Sequence, residues 1–457
     1  MTGILDNGSF WFDSMDLDLA GEPAPLPASA DVVIIGAGFT GLWTAYYLSQ
    51  LAPETAIVVI EARTAGFGAS GRNGGWCMGT AMGIEALVAR ERSRERGLVL
   101  AAAMQDTVDE VGRVCQAEDI DCHFQKGGTL TVATTPFHAD MLAQAEAEYV
   151  EIGFAPEDHV WLDADEARKR IAMTPNLGAM FTPHCAAIHP ARLVRGLADT
   201  LRARGVTIVE QTPAKKISPR HVLTTRGAIS APIVLRATEG YTDTIDGQQR
   251  QLLPLYSMMV ATEPLPDSLW EDIGLRERET FGDLRRVVIY GQRTLDNRLA
   301  FGGRAGYYFN SGIRDTIPPA DRAVQNVEKT LRRHFPMLEG YRITHGWGGL
   351  MGMPRNWKPY VHFDADSGFG AAGGYTGEGV GASNLAARML ADLALGRDTD
   401  VARLAWAGDL PPRWEPEPLR WLGASALQFL GDRADAAEFR SGKPSKFWGG
   451  MFARLFG

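Results

Sequence analysis

The segment Gly36-Ala37-Gly38-Phe39-Thr40-Gly41 follows an apolar run, VVII, and opens a stretch with helical spacing; an acid, Glu61, stands 25 residues after Gly36, behind a second apolar run, IVVI. These residue types at this spacing suit the binding of a dinucleotide. Gly36 gives the tight turn, Gly38 lets the main chain approach a pyrophosphate, and Gly41 lets the helix close on the strand. The helix that begins around Phe39 and Thr40 turns N–H groups and the positive end of its dipole toward phosphate. A carboxylate at position 61, followed by Ala62 and Arg63, accepts hydrogen bonds from ribose hydroxyls. FAD and NAD share this fingerprint, so the rest of the chain must distinguish them.

Two further glycine blocks lie downstream. GFGASGRNGGWCMG, residues 66–79, has six glycines in fourteen positions around the pair Arg72-Asn73. GFGAAGGYTGEGVGASNLAARMLADLALG, residues 368–396, reads as a strand, a glycine loop and a long Ala/Leu helix. A protein that bound only NAD would leave both blocks without a role. No Ser-His-Asp arrangement or metal-ligand spacing stands out, which suits chemistry carried by an organic cofactor.

The elements that must position these residues follow from the hydrophobic periodicity. Residues 32–60 read as strand, turn, helix and strand, a βαβ unit. From about 83 to 117 the pattern is helical, and CHFQKGGTLTVATT (122–135) switches to strand chemistry, opening a second, sheet-based lobe. HPARLVRGLADTLRARGVTIVEQTPAKKI (189–217) returns to helix, turn and strand, and APIVLRATEG (231–240) adds a buried strand to the first lobe. A strand-rich middle covers about 250–310, ahead of a helix at about 320–335. Both lobes are therefore discontinuous: 28–100, 185–245 and 345–400 form the first, 101–184 and 246–344 the second. Residues 401–457 form a helical tail in which Trp414, Trp421 and Phe429 suggest buried packing.

The totals narrow the class. A chain of 457 residues exceeds one compact core, and 45% hydrophobic with 22% charged residues is the composition of a soluble globular protein. A net charge of -9 argues against nonspecific nucleic-acid binding. Cys77, Cys115, Cys122 and Cys185 show no zinc-like or C-x-x-C spacing, which points to a reduced, cytoplasmic chain without a cysteine-based metal site. The N-terminal MTGILDNGSFWFDSMDLD lacks the apolar core of a secretory signal, and no run reaches the roughly 18 apolar residues of a membrane span.

GAGFTGLWTA, GASGRNGG, IHPARLVRGLADTL, VLRATEGYT and GGYTGEGVGASNLAA, in this order over roughly residues 30–400, resemble the FAD-dependent D-amino-acid oxidase (DAO) superfamily. They are most similar to its branch of γ-glutamylputrescine and aminophosphonate oxidoreductases. The resemblance implies an α/β fold: a discontinuous, two-lobed, glutathione-reductase-type Rossmann FAD-binding domain with an antiparallel-sheet α+β substrate domain. It implies that Ala69, Ser70, Gly71, Arg72, Asn73, Gly74 and Gly75 wrap the pyrophosphate and pass the flavin ring, with Ser70, Arg72 and Asn73 offering polar contacts. It further implies main-chain contacts from Ala214 to adenine, and Thr238 and Gly240 bordering the adenosine. Gly374, Tyr375, Thr376, Gly377, Gly379 and Val380 would lie under the pyrimidine end of the ring, their amides stabilising the charge that develops there on reduction. With no cysteine in 341–363, the FAD is expected to be non-covalent.

The segment THGWGGLMGMPRNWKPYV (344–361) resembles the family's W-G-G block beside the active site. Trp347 and His345 are the candidates here, His345 either as a base or orienting group or as a structural residue among aromatics. Glu378 departs from the histidine common in the γ-glutamylputrescine branch; it is either a loop acid facing solvent or a residue with a substrate-entry or amine-contact role. Met351 stands where glycine and D-amino-acid oxidases usually carry an arginine that clamps the substrate carboxylate, which disfavours a simple α-amino acid. Arg304 and Tyr307, in FGGRAGYYF, either point toward the flavin, where a guanidinium fork suits a carboxylate or phosphonate, or face outward.

The expected activity is that of an FAD-dependent amine oxidase or dehydrogenase acting on CH–NH or CH–NH2 donors. The expected substrate is a small amine bearing an anionic group, such as an aminophosphonate or a γ-glutamyl-polyamine; an N-methyl amine or amino acid is the alternative, and a flavin-binding subunit of a larger complex the non-enzymatic one. The strand RLAFGGRAG has no lysine of the kind that assists oxygen activation in some sarcosine-oxidase relatives, so molecular oxygen and a quinone or carrier protein both stand as electron acceptors.

Overall fold

Val32–Ile35 and Ile57–Ile60 are buried at every position, as strands inside a parallel sheet covered on both faces must be. Val32 and Ile34 enter one core, Val33 and Ile35 another, following the two-residue alternation of a strand. The computed structural model describes residues 8–15, 23–304, 306, 308–318 and 320–456. Its six-stranded sheet has the order Tyr360–Asp364, Phe369–Gly373, Ile233–Arg236, Val32–Ile35, Ile57–Ile60, Thr207–Val209, parallel except for the hairpin formed by the first two. Helices Phe39–Leu51, Pro190–Ala203 and Gly379–Ala394 pack in the first core, and a three-stranded antiparallel sheet, 214–230, contributes to the second.

The other lobe is an eight-stranded sheet, antiparallel apart from the pair Thr129–Val132 and Thr280–Asp283. Its two longest strands, Leu253–Thr262 and Ile343–Met353, lie side by side. The helix Arg322–His334 lays Val324, Val327 and Leu331, at helical spacing, against the core of this lobe.

Two seams differ from the sequence reading. The helix Arg94–Ala117 runs unbroken through residue 100 and places Leu100, Met104, Val108 and Val111 in the first lobe's core, because its apolar stripe continues over that point. The strand Ile343–Met353 belongs to the second lobe's sheet, so position 345 falls inside a strand and not between lobes. In the tail, Trp414 is buried as expected, whereas Trp421 and Phe429 are exposed on the helix Leu419–Ser441. All four cysteines are free and buried.

Candidate active site

The strand Val32–Ile35 stops at Gly36, whose φ of +107° is open to glycine; a Cβ there would lie 2.5 Å from the carbonyl oxygen of Ala237, just past the end of the neighbouring strand. The turn delivers the helix Phe39–Leu51 with Gly38 as its N-cap, a residue with no side chain to cap the first turn. Glu61 accepts the N–H of Ala37 on Oε2 at 2.8 Å and that of Arg63 on Oε1 at 2.9 Å. Burial raises its carboxyl pKa and these N–H groups oppose the rise. Each carboxylate oxygen keeps further acceptor capacity. Phe39 donates its N–H to Ser70 Oγ at 2.8 Å, so the second glycine block meets the first at the very amide that such a turn aims at phosphate.

The second block is wired from outside. Its carbonyls at Gly71, Arg72 and Asn73 accept, in order, from Ser9 Oγ (3.0 Å), Trp347 Nε1 (2.9 Å) and Trp11 Nε1 (2.8 Å). Asn73 donates through Nδ2 to the carbonyls of Ala69 and Ser70 and accepts the N–H of Gly75 on Oδ1 at 2.7 Å. Arg72 donates through Nη1 to the carbonyls of Asp315 and Gly348 and stacks on Phe67. The polar atoms expected to meet the cofactor are thus also those that hold the loop's shape. Ser9 and Trp11 were outside the sequence reading; the signal was the density of aromatics in SFWFD.

Two adjoining cavities follow. The larger, about 440 Å³, is lined by Gly36, Gly38, Glu61, Ala62, Arg63, Ala214 and Thr238, among others. The smaller, about 150 Å³, is lined by Arg72, Asn73, Gly74, Trp76, Tyr290, Arg304, Met351, Tyr375, Gly377, Glu378, Gly379 and Val380. Phe39, Thr40, Ala69, Ser70 and Glu239 line both, which makes one elongated site. Gly41, Gly71, Gly75, Gly240, Gly374 and Thr376 line neither and act through packing or backbone shape.

At the smaller end, the loop after Phe369–Gly373 puts Thr376 at φ +57°, a backbone region uncommon for a β-branched residue. Arg304 donates through Nη2 to the Thr376 carbonyl at 2.9 Å, and the Tyr375 and Thr40 hydroxyls share a hydrogen bond at 2.9 Å. Glu378 is the N-cap residue of the helix Gly379–Ala394 and makes no side-chain cap bond. Burial raises the Glu378 carboxyl, with Arg304 opposing; burial lowers the Arg304 guanidinium, with Glu378 opposing. Tyr290 pairs with Ser257 Oγ at 2.6 Å, its hydroxyl pushed up to about 12 by burial.

Glu239 was missed between Thr238 and Gly240. Its Oε1 accepts from the amides of Gly374 and Tyr375 at 3.2 and 3.3 Å, while its buried Oε2 has no hydrogen-bond partner among the described residues. Burial pushes this carboxyl up to about 7. The other candidates sit elsewhere. His345 lines neither cavity; it shares a hydrogen bond with Thr344 Oγ1 at 2.8 Å, faces Asp13 at 3.8 Å and packs edge-on against Phe10. It stands six residues from Met351, about 20 Å along an extended strand. Trp347 also lines neither cavity and acts on the loop through Arg72. Tyr307 lies outside the described residues.

These residues fit FAD. The glycine turn and Glu61 suit the adenosine and pyrophosphate end, a second helix start suits the ring end, and an orphaned carboxylate oxygen lies on the wall between.

The chain matches the family model DAO, FAD dependent oxidoreductase, over residues 31–393. It is 30% identical to the probable oxidoreductase OrdL of Rhizobium meliloti, with 82% of this chain and 86% of that protein covered. It is 28% identical to the gamma-glutamylputrescine oxidoreductase of Escherichia coli, covering 84% and 87%. Its fold is that of the glycine oxidase from Geobacillus kaustophilus, at a TM-score of 0.68 and 21% identity, with 83% of this chain and 99% of that one superposed. The family match runs through both lobes and all three glycine blocks, and the chain belongs to the DAO family of FAD-dependent oxidoreductases.

Proposed function

We propose that the protein oxidises the C–N bond of a small amine that carries an anionic group, an aminophosphonate or a γ-glutamyl-polyamine being the chemistry in view. The observation that carries this reading is the placement of Arg304 and Glu378 in one shielded cavity beside the Thr376–Val380 loop. The gamma-glutamylputrescine oxidoreductase relative supports an amine donor.

The turn at 36–41, Glu61, Ala214 and Thr238 would hold the dinucleotide end of FAD, and 69–74 with 375–380 its ring. When bound, the flavin supplies the electron sink, accepting a hydride equivalent from the carbon beside nitrogen. A substrate ammonium has no lone pair to expel that hydride, so a base must first take its proton. Of the two carboxyls that line this cavity, Glu239 spends Oε1 on the Gly374 and Tyr375 amides, so the role of accepting and keeping the proton falls to Glu378, whose raised pKa brings it closer to neutral pH. Arg304 spends one N–H on Thr376 and keeps others for a carboxylate or phosphonate. Trp76, Tyr290 and Met351 wall the cavity against water. The imine product hydrolyses to an aldehyde or oxo compound. Molecular oxygen or a quinone or carrier protein takes the electrons, and oxygen uptake during turnover separates the two. We place the reaction in the cytoplasm, in keeping with four free cysteines.

The reading is tested by comparing an ω-aminoalkylphosphonate with the alkylamine of equal length that lacks the phosphonate. The phosphonate is expected to reduce the flavin at least about tenfold more efficiently, a preference lost in Arg304→Met. Equal efficiency in the unaltered protein would overturn the anionic-group assignment.

A further inference from the structure

The family match ends at residue 393, and the helices Leu419–Ser441 and Trp448–Phe456 lie beyond it. The first is fixed to the second lobe through its acids. Arg286 pairs with Asp435 at 3.0 Å and with Glu438 at 2.6 Å, and the Val287 N–H donates to Asp435 Oδ2 at 3.0 Å. Asp432, exposed and three residues beyond Phe429, lines a cavity against the second lobe, and at the helix start Arg420 pairs with Asp243 at 2.9 Å.

The side left uncovered is apolar. Leu419, Leu422 and Phe429 are each at least half exposed, at spacings of three and seven residues that keep them on one face. On the second helix Phe452 lies under the Arg286 guanidinium and faces inward, while the half-buried Trp448 meets Phe429 at 6.0 Å between ring centroids. Phe447, Met451 and Leu455 recur every fourth residue on the outside, with Phe447 66% and Leu455 61% exposed. Phe447 touches Trp448 at 4.8 Å, so the rings of Phe429, Trp448 and Phe447 join the two stripes into one surface.

Cations rim it. From residue 440 onward the chain carries Arg440, Lys443, Lys446 and Arg454 and no acid, although its net charge is -9. Arg433 stacks on Phe429 at 5.2 Å. Exposed rings and aliphatic chains ringed by Lys and Arg match the boundary of an anionic bilayer, where the rings enter between headgroups and the cations meet phosphate. A second copy of the chain would set this basic rim against itself, since a two-fold contact pairs like with like.

We propose that this helix pair docks the protein on an anionic lipid surface. Attachment is interfacial, because no helix among the described residues is long and apolar enough to cross a membrane. The proposal does not depend on the substrate assignment.

The test is co-sedimentation of the flavin-loaded protein with vesicles of phosphatidylcholine, alone and with about one-third phosphatidylglycerol. Binding is expected to the second only, and to weaken as salt is added. Lys443→Gln with Lys446→Gln is expected to lower the affinity about fivefold per lysine. Phe447→Ser with Leu455→Ser is expected to lower it at least about tenfold, with an unaltered flavin spectrum and melting temperature. Absence of binding to anionic vesicles, or unchanged binding by the serine double variant, would overturn the proposal. So would a dimer in sedimentation velocity that the serine substitutions dissolve, which would give the face to a second copy.

Discussion

Trp11 donates its indole N–H to the carbonyl of Asn73 at 2.8 Å, across 62 residues of sequence. With Ser9 on Gly71 and Trp347 on Arg72, it fixes three successive carbonyls of a loop that lines both cavities. Trp11→Phe keeps the buried ring and removes the donor, which costs about 1–3 kcal/mol if the carbonyl is left unpaired. FAD affinity is therefore expected to fall about fivefold or more, read by titrating the apoprotein with FAD. An unchanged dissociation constant would show that the loop needs no clasp.

Gly36→Ala tests the first turn. The substitution meets a left-handed φ of +107° and the Ala237 carbonyl at 2.5 Å. Gly205 has φ +85° and open space around it, so Gly205→Ala carries the backbone strain alone. The first variant is expected to purify without a flavin band; the second is expected to keep it and lose about 1–2 kcal/mol of stability. Flavin retained by Gly36→Ala would contradict the steric account of the turn.

Glu378 sets the expected pH dependence. Burial raises its carboxyl above the ordinary 4.5, so the charged, proton-accepting form grows as pH rises through that elevated value. The rate of anaerobic flavin reduction should climb over this window. In Glu378→Gln this limb should vanish, leaving the ionisation of the substrate amine, and the rate near neutral pH should fall about 10²–10⁴-fold. A Gln variant with the original profile would exclude Glu378 as the base.

Glu239 makes a prediction about stability. Its carboxyl is held at about 7 when folded, against 4.5 for the free group. A carboxyl raised on folding favours the fold most below the lower value, and that contribution is lost as pH rises from about 4.5 through 7. Glu239→Gln removes the loss. The melting temperature of the apoprotein variant should gain on the unaltered apoprotein by about 2–4 °C between pH 4.5 and pH 8. A difference that does not vary with pH would mean that Glu239 does not titrate in this range.

Much of this site was legible because its signals are local. The turn at Gly36, Gly38 and Gly41 lies between a four-residue buried run and a helix, and Glu61 follows within the same βαβ unit. The α/β class with a second, largely antiparallel sheet also followed from periodicity. What escaped depends on distance in space. Spacing places His345 and Met351 on one face of one strand, yet cannot say where along it the cavity ends. Ser9 and Trp11 act through contacts some sixty residues away, and Glu239 acquires its character from burial against the Gly374 and Tyr375 amides. The seam at residue 100 was misplaced because a helix long enough to serve one core shows no break where a lobe might end.

The visible spectrum of the purified protein, recorded anaerobically before and after adding aminoalkylphosphonates, γ-glutamylated diamines, N-methyl amines and amino acids in turn, tests the central claim most directly. An oxidised flavin band that bleaches with one amine class is the predicted result, the anionic amines acting first. A flavin band that no amine bleaches would contradict C–N oxidation, and no band even after added FAD would contradict the cofactor assignment itself.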